Sequence, residues 1–288
     1  MILVTGANGL VGSYVCKALK KSNTPFRGLV REGSDLALVE DVLDNLIYGD
    51  FLDLEFMTKE IQKIDVVVHC AAIISFSNNQ KEQMRKINVE GTKQLVNLAL
   101  ASHLDYFLYV SSVAAIGRSK KNNILDETKD WIYAKGNTLY GESKHLGELE
   151  VWRAMQEGLT ASIVNPSVIL GAGDWTKSST KLFKYVWNEN KYYGGGNLNY
   201  VDVRDVTSII LILIEKRMTH ERFILSAGAT SYQEFFRLVA REFGKKPPSR
   251  KFKKWQGIFA VMVSSLSAWI KGSKPLVTKE TIQLASDM

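Results

Sequence analysis

The sequence predicts an α/β fold, a doubly wound parallel sheet carrying a smaller, interleaved lobe. Through the first half of the chain, short apolar runs alternate with longer segments of helical period, and parallel strands need such crossovers. A glycine-rich turn, Thr5-Gly6-Ala7-Asn8-Gly9-Leu10-Val11-Gly12, follows the first apolar run. After Asn165-Pro166 the rhythm breaks, with Gly171-Ala172-Gly173 and Gly194-Gly195-Gly196 punctuating aromatic-rich helical stretches; a second lobe begins there.

In chain order, 1–5, 25–30, 45–48, 65–70 and 106–111 read as strands, joined by helical segments. Met84, Ile87, Leu95, Leu98 and Ala99 predict a long helix over 82–103, and Tyr140, Leu146, Leu149 and Trp152 another over 138–157. Ala161 to Val164 is the next strand. Leu198 to Val203 and Phe223 to Leu225 again look like strands, returning the chain to the sheet at about 198–226. The first domain is therefore 1–165 with that return, and the second lobe is 166–197 and 227–288.

With 45% apolar and 23% charged residues, the composition is that of an ordinary globular protein and excludes disorder, collagen-like repeats and a coiled coil. Cys16 and Cys70 are the only cysteines, so no disulfide framework or thiolate metal site is expected, and a reducing compartment is. Met1 runs straight into Ile2-Leu3-Val4 without a basic leader, and no long uninterrupted apolar stretch follows, so the expected address is cytoplasmic. From Arg237 to Lys274, ten Lys or Arg stand against the single Glu242, outweighing the chain's net +7 and leaving the remainder slightly acidic. Such a lobe is a solvated basic face or attracts an anionic surface or acidic carrier; with no reading motif, no nucleic-acid partner is expected.

The glycine turn follows a strand and opens a helix, the context of a Rossmann phosphate site. There Gly6 allows the tight turn, Gly9 the approach of a pyrophosphate and Gly12 close packing of helix on strand. The adenosine ribose is read at the end of the second strand, where this sequence has Arg31 and no acid at Val30. Arg31 suits a 2′-phosphate, which favours NADP over NAD. Glu32 and Asp35 lie close enough to oppose that preference, and a plain surface arginine is the other reading.

Tyr140-Gly141-Glu142-Ser143-Lys144 opens the second long helix, placing Tyr140 and Lys144 on one face a turn apart. A cation there would favour the phenolate and let Tyr140 exchange a proton with a substrate oxygen. Alone, the pair is weak, a spacing that chance supplies. Ser112 ends the fifth strand at the carboxyl edge, where its hydroxyl can bond a substrate oxygen or its own backbone.

Together with His69-Cys70-Ala71-Ala72 and Asn88-Val89-Glu90-Gly91-Thr92, these motifs resemble the extended short-chain dehydrogenase/reductase (NAD(P)-dependent epimerase/dehydratase) family over at least residues 1–170. The resemblance implies Ser112, Tyr140 and Lys144 as the catalytic set, with Lys144 lowering the pKa of Tyr140 and holding the nicotinamide ribose. It also implies cofactor contacts at Gly6, Asn8, Gly9, Leu10, Val11, Gly12, Asp50, Phe51, Ala71, Ala72, Pro166, Ser167 and Val168. Asn88 would be structural or a proton relay. Ile73-Ile74-Ser75-Phe76, Trp152-Arg153, Asn165 to Gly171 and Tyr200 to Val206 look like the dihydroflavonol reductase and 3β-hydroxysteroid dehydrogenase branch. Nucleotide-sugar epimerases generally bring an arginine beside the strand that here reads Asn197-Leu198-Asn199-Tyr200.

The leading expectation is an NADP-dependent reductase of a ketone or aldehyde, reversibly oxidising an alcohol; the runner-up is a nucleotide-sugar epimerase or dehydratase that retains its NAD(P). A cofactor-binding regulator without turnover would need none of the Ser, Tyr and Lys set. Phe76, Trp131, Trp175, Trp187, Tyr192 and Tyr193 suit either an apolar substrate or the core of the second lobe. His69 and His145 have no second ligand at metal spacing, so no metal is expected. The two long helices are the pair through which many relatives dimerise, and a homodimer is the expected assembly. Lys253 to Lys271 predicts a helix with Ile258, Met262, Leu266 and Trp269 on one face, a lid over the substrate in preference to a peripheral membrane contact.

Overall fold

The computed structural model describes residues 1–252 apart from Phe76, 118–124 and Lys135. The helix expected at Lys253 to Lys271 lies outside the described residues. Six parallel strands, β1 (Ile2–Thr5), β2 (Phe26–Val30), β3 (Leu46–Tyr48), β4 (Val66–His69), β5 (Tyr106–Val110) and β6 (Ala161–Pro166), take the order β6-β5-β4-β1-β2-β3. β1, β4, β5 and β6 are buried at every position. Apolar runs without alternation do this because helices cover both faces of the sheet.

On one face pack α1 (Leu10–Lys21) and, from later in the chain, the helix Val203–Lys216; on the other pack α2 (Leu54–Ile61), α4 (Gly91–Ala101) and α5 (Leu139–Gln156). α1 buries Gly12, Val15, Cys16 and Leu19, a spacing of three and four that points one stripe at the sheet. The helix expected over 82–103 is broken: α3 (Lys81–Met84) passes through a π-helical turn, Arg85–Glu90, into α4. Asn88 sits in that turn with its side chain satisfying both backbone groups of Ile73, 2.8 Å from the N–H and 2.9 Å from the carbonyl. These two bonds tie the turn to the segment that follows β4.

The second lobe supplies β7 (Val168–Leu170), α6 (Lys181–Trp187), β8 (Tyr192–Tyr193) and β9 (Asn197–Asp202). α7 (Val203–Lys216) leads into β10 (Glu221–Leu225), which pairs parallel with β6 and completes a seven-stranded sheet. The expected return to this sheet thus holds for β10. It fails for Leu198 to Val203: β9 lies in a separate three-stranded sheet between β7 and β11 (Gly228–Ser231). α8 (Tyr232–Phe243) follows, its first turn capped by Ser231 on the N–H of Glu234. β12 (Arg250–Lys251) pairs with β8. Phe235, Phe236 and Ala240 of α8 pack on Val186 and Leu198 in a small core of their own. Trp187 packs edge to face on Trp175 and Phe243, themselves tilted against each other, beside it, and Trp131 instead stacks on His145 at 4.5 Å. Among the described residues no helix is long and apolar enough to cross a membrane.

Candidate active site

Strand order reverses at β1, so the crevice for a ligand opens at its carboxyl end. Gly6 turns there with φ +65°, and a Cβ on it would stand 2.8 Å from Ala71 Cα, so the turn lies directly against the exit of β4. A Cβ on Gly12 would collide with the Gly6 carbonyl oxygen and lie 2.9 Å from Ala7 Cα. Gly9 is the N-cap of α1; no side chain caps this end and no acid occupies the first turn. Its first amides are thus available to an anion. This cradle fits the diphosphate of a dinucleotide. Gly12→Ala is expected to cost about 1–3 kcal/mol of stability and most of the affinity for a nicotinamide dinucleotide, since α1 must shift away from the turn. Thermal melting and a fluorescence titration check this, and undiminished affinity would contradict the cradle.

Arg31 is exposed at the carboxyl end of β2. Asp35 is already engaged: its Oδ1 accepts from the N–H of Ala37 at 3.0 Å, and its Oδ2 faces Lys177 Nζ at 3.8 Å. Asn8 donates to the Asp35 carbonyl at 3.1 Å and Tyr14 to the Ala172 carbonyl at 3.3 Å. Segment 171–177 of the second lobe therefore lies over the start of α1, with Gly173 leaving room for Leu10 and Gly171 for Val203. Val11 is half-buried and packs against the core beneath. Asp50 spends its carboxylate on the N–H of Leu52 at 3.0 Å. The Phe51 ring is buried, edge-on to His69 at 5.4 Å and against Gly91. Ala71 and Ala72 follow β4 at the crevice, the Ala71 N–H bonded to Thr5 Oγ1 at 3.2 Å. Pro166, Ser167 and Val168 run from β6 into β7, with Ser167 Oγ buried and lacking a hydrogen-bond partner.

Ser112 caps the 3₁₀ turn Val113–Ile116, its Oγ accepting from the N–H of Ala114 at 3.2 Å. Gly141 lets α5 settle on that turn, because a Cβ there would lie 2.6 Å from the Ala114 carbonyl oxygen. This contact brings Tyr140, in the first turn of α5, beside the Ser112 side chain. Burial pushes the Tyr140 phenol up to about 12, opposed by the Ser112 hydroxyl. In this arrangement burial outweighs the lowering expected of Lys144. Lys144 is buried one turn along, its Nζ donating to the Val110 carbonyl at 2.9 Å and standing 4.1 Å over the Tyr109 ring. Burial depresses its ammonium to about 7, and Glu148 and Cys70 oppose the fall.

His69 bridges Thr5 Oγ1 at 2.7 Å and Thr92 Oγ1 at 3.1 Å and is held neutral by burial, with a pKa of about 3. Its role is to tie β1 to α4. Among the described residues no cluster of His, Cys, Asp and Glu could hold a metal. One group at this site escaped the sequence: Glu148, buried and one turn past Lys144.

A seven-stranded parallel sheet with a glycine turn at its switch point defines a dinucleotide-dependent α/β enzyme of the extended short-chain dehydrogenase/reductase type. Residues 2–225 match the model of the NAD dependent epimerase/dehydratase family, and the chain belongs to that family. It is similar to a sterol demethylase protein B of Methylococcus capsulatus, 25% identical over 78% of this chain and 69% of the relative. It is also similar to a putative dihydroflavonol 4-reductase of Synechocystis, 26% identical over 98% of this chain and 84% of the relative. The crystal structure of gox2253 superposes with a TM-score of 0.82 at 31% identity, covering 99% of this chain and 88% of that one.

Proposed function

We propose that the chain is an NADP-dependent reductase of a ketone or aldehyde, running reversibly as an alcohol dehydrogenase. The observation that carries this reading is the convergence of Ser112, Tyr140 and Lys144 at the carboxyl edge beside the glycine turn. A bound nicotinamide supplies the hydride to the carbonyl carbon. Ser112 and Tyr140 polarise the carbonyl oxygen, and Tyr140 gives it the proton. A phenol kept protonated by burial suits that donation at neutral pH. Lys144 holds the nicotinamide ribose. The second lobe completes the substrate pocket. The dihydroflavonol reductase relative supports reduction of a small carbonyl compound.

NADP is favoured because Arg31 is exposed where the adenosine ribose is read, while the Asp35 carboxylate is bonded within its own loop and faces Lys177. Arg31→Ala is expected to weaken NADPH binding by about tenfold or more, through the lost contact to phosphate, and to leave NADH binding nearly unchanged. A parallel loss for both nucleotides would remove Arg31 from the phosphate site. The deciding experiment identifies the nucleotide that copurifies and then assays a carbonyl panel for stoichiometric NADPH oxidation. The second reading, an epimerase or dehydratase with retained NAD(P), draws on the family's breadth and requires turnover without net oxidation of free NADPH.

A further inference from the structure

We propose that Glu148 is a positioning residue whose buried carboxylate, one helical turn from Lys144 on the same face of α5, holds that ammonium in its charged form. The proposal rests on the reading of Lys144 given above. Both side chains are 1% exposed. The charge of Glu148 is held by side chains of two strands. Asn165 of β6 donates to its Oε1 at 2.5 Å and, from the same amide, to the Ser112 carbonyl at 2.9 Å. Arg222 of β10 places Nη1 3.5 Å from its Oε2. Arg222 is itself fixed by the carbonyls of Glu127, at 2.8 Å, and Lys129. Burial leaves the Glu148 carboxyl raised, and Ser111, Asn165, Arg222 and Lys144 oppose the rise and favour its charged form.

The other titratable groups around Lys144 are uncharged near neutral pH. From α5, Tyr140 is pushed up to about 12. From the end of β4, His69 is depressed to about 3 and burial pushes the Cys70 thiol well up. From β5, burial likewise pushes the Tyr109 phenol up. Glu148 is therefore the one carboxylate among the described groups opposing the desolvation of Lys144, while Arg222 competes for it. A buried ammonium with a pKa of about 7 divides between its charged and neutral forms in the range where the enzyme would work. Removing the carboxylate charge displaces that balance toward the neutral amine, which can neither favour a phenolate nor hold a ribose through a charge-assisted hydrogen bond.

The test follows Lys144 directly, by NMR of the full chain labelled with ¹³Cε-lysine, its resonance assigned by loss in Lys144→Met. Glu148→Gln keeps an acceptor for Asn165 and removes the charge; it is expected to lower the Lys144 midpoint by at least about one pH unit. Glu148→Asp is expected to restore most of the difference. Arg222→Gln, which frees the carboxylate from its competitor, is expected to move the midpoint upward and serves if Glu148→Gln fails to fold. NADPH affinity, read by tryptophan quenching, is expected to fall about tenfold in Glu148→Gln at about pH 8 and to change little at about pH 6. An unmoved Lys144 midpoint in Glu148→Gln, or in Arg222→Gln where that variant alone folds, overturns the proposal. A midpoint that moves while NADPH affinity stays independent of pH upholds the coupling and overturns the ribose role of Lys144 instead.

Discussion

Tyr140→Phe is expected to lower turnover at least about 100-fold while leaving the fold and nucleotide binding intact. Phenylalanine keeps the half-buried ring at the start of α5 and deletes only the hydroxyl beside Ser112. A loss of that size reflects removal of a general acid, because the proton must then come from water in a site the side chain already fills. The matching measurement is NADPH oxidation at saturating carbonyl, with thermal melting as the control. Near-normal turnover would remove Tyr140 from the chemistry. A large loss accompanied by a collapse in melting temperature would mean that the hydroxyl serves packing. The Ser112 hydroxyl is left without its partner in the variant but still caps Ala114, so the turn beneath the site is expected to persist.

The parts of this structure legible in the sequence are those with local causes. Runs such as Val66–His69 and Tyr106–Val110 are wholly apolar, or nearly so, because they are buried on both faces, and Gly9 and Gly12 of the first turn are dictated by contacts with Gly6 and Ala7 a few residues away, although Gly6 itself answers to Ala71 at the exit of β4. β7, β8, β11 and β12 span four residues or fewer. A strand of that length shows no period, and its pairing is chosen by partners far away in the chain, as β7 and β11 both are by β9. For the same reason β9 reads correctly as a strand and misleads as to its sheet. Ser231 and Glu234 had the form of a capping box for α8, a signal the basic charge of the region hid. At the site, spacing along α5 aligned Tyr140 with Lys144. The same spacing placed Glu148 next, yet a glutamate inside a helix reads as solvent-facing until Asn165 and Arg222 arrive from β6 and β10.

Lys144→Met is expected to abolish turnover and to weaken nucleotide binding at the same time, because in the proposed function one ammonium serves both the phenol and the ribose. Binding that stays at the parent level while only rate falls would separate the two roles and refute the second. Methionine fills nearly the same volume and removes a desolvated charge, so the variant is expected to fold at least as stably as the parent near neutral pH. The pH dependence of that comparison has a definite sign. Lys144 titrates at about 7 in the folded chain, against an ordinary 10.5 when unfolded. Between those values the unfolded state binds more protons, so this residue makes unfolding harder as pH rises through the window and easier as pH falls through 7. Melting temperatures of parent and variant measured across that window are expected to converge toward its alkaline end and to part toward its acid end, with the variant the higher. Parallel curves would show that the Lys144 ammonium is solvated in the folded protein, and the buried charge on which its catalytic role depends would be lost with it.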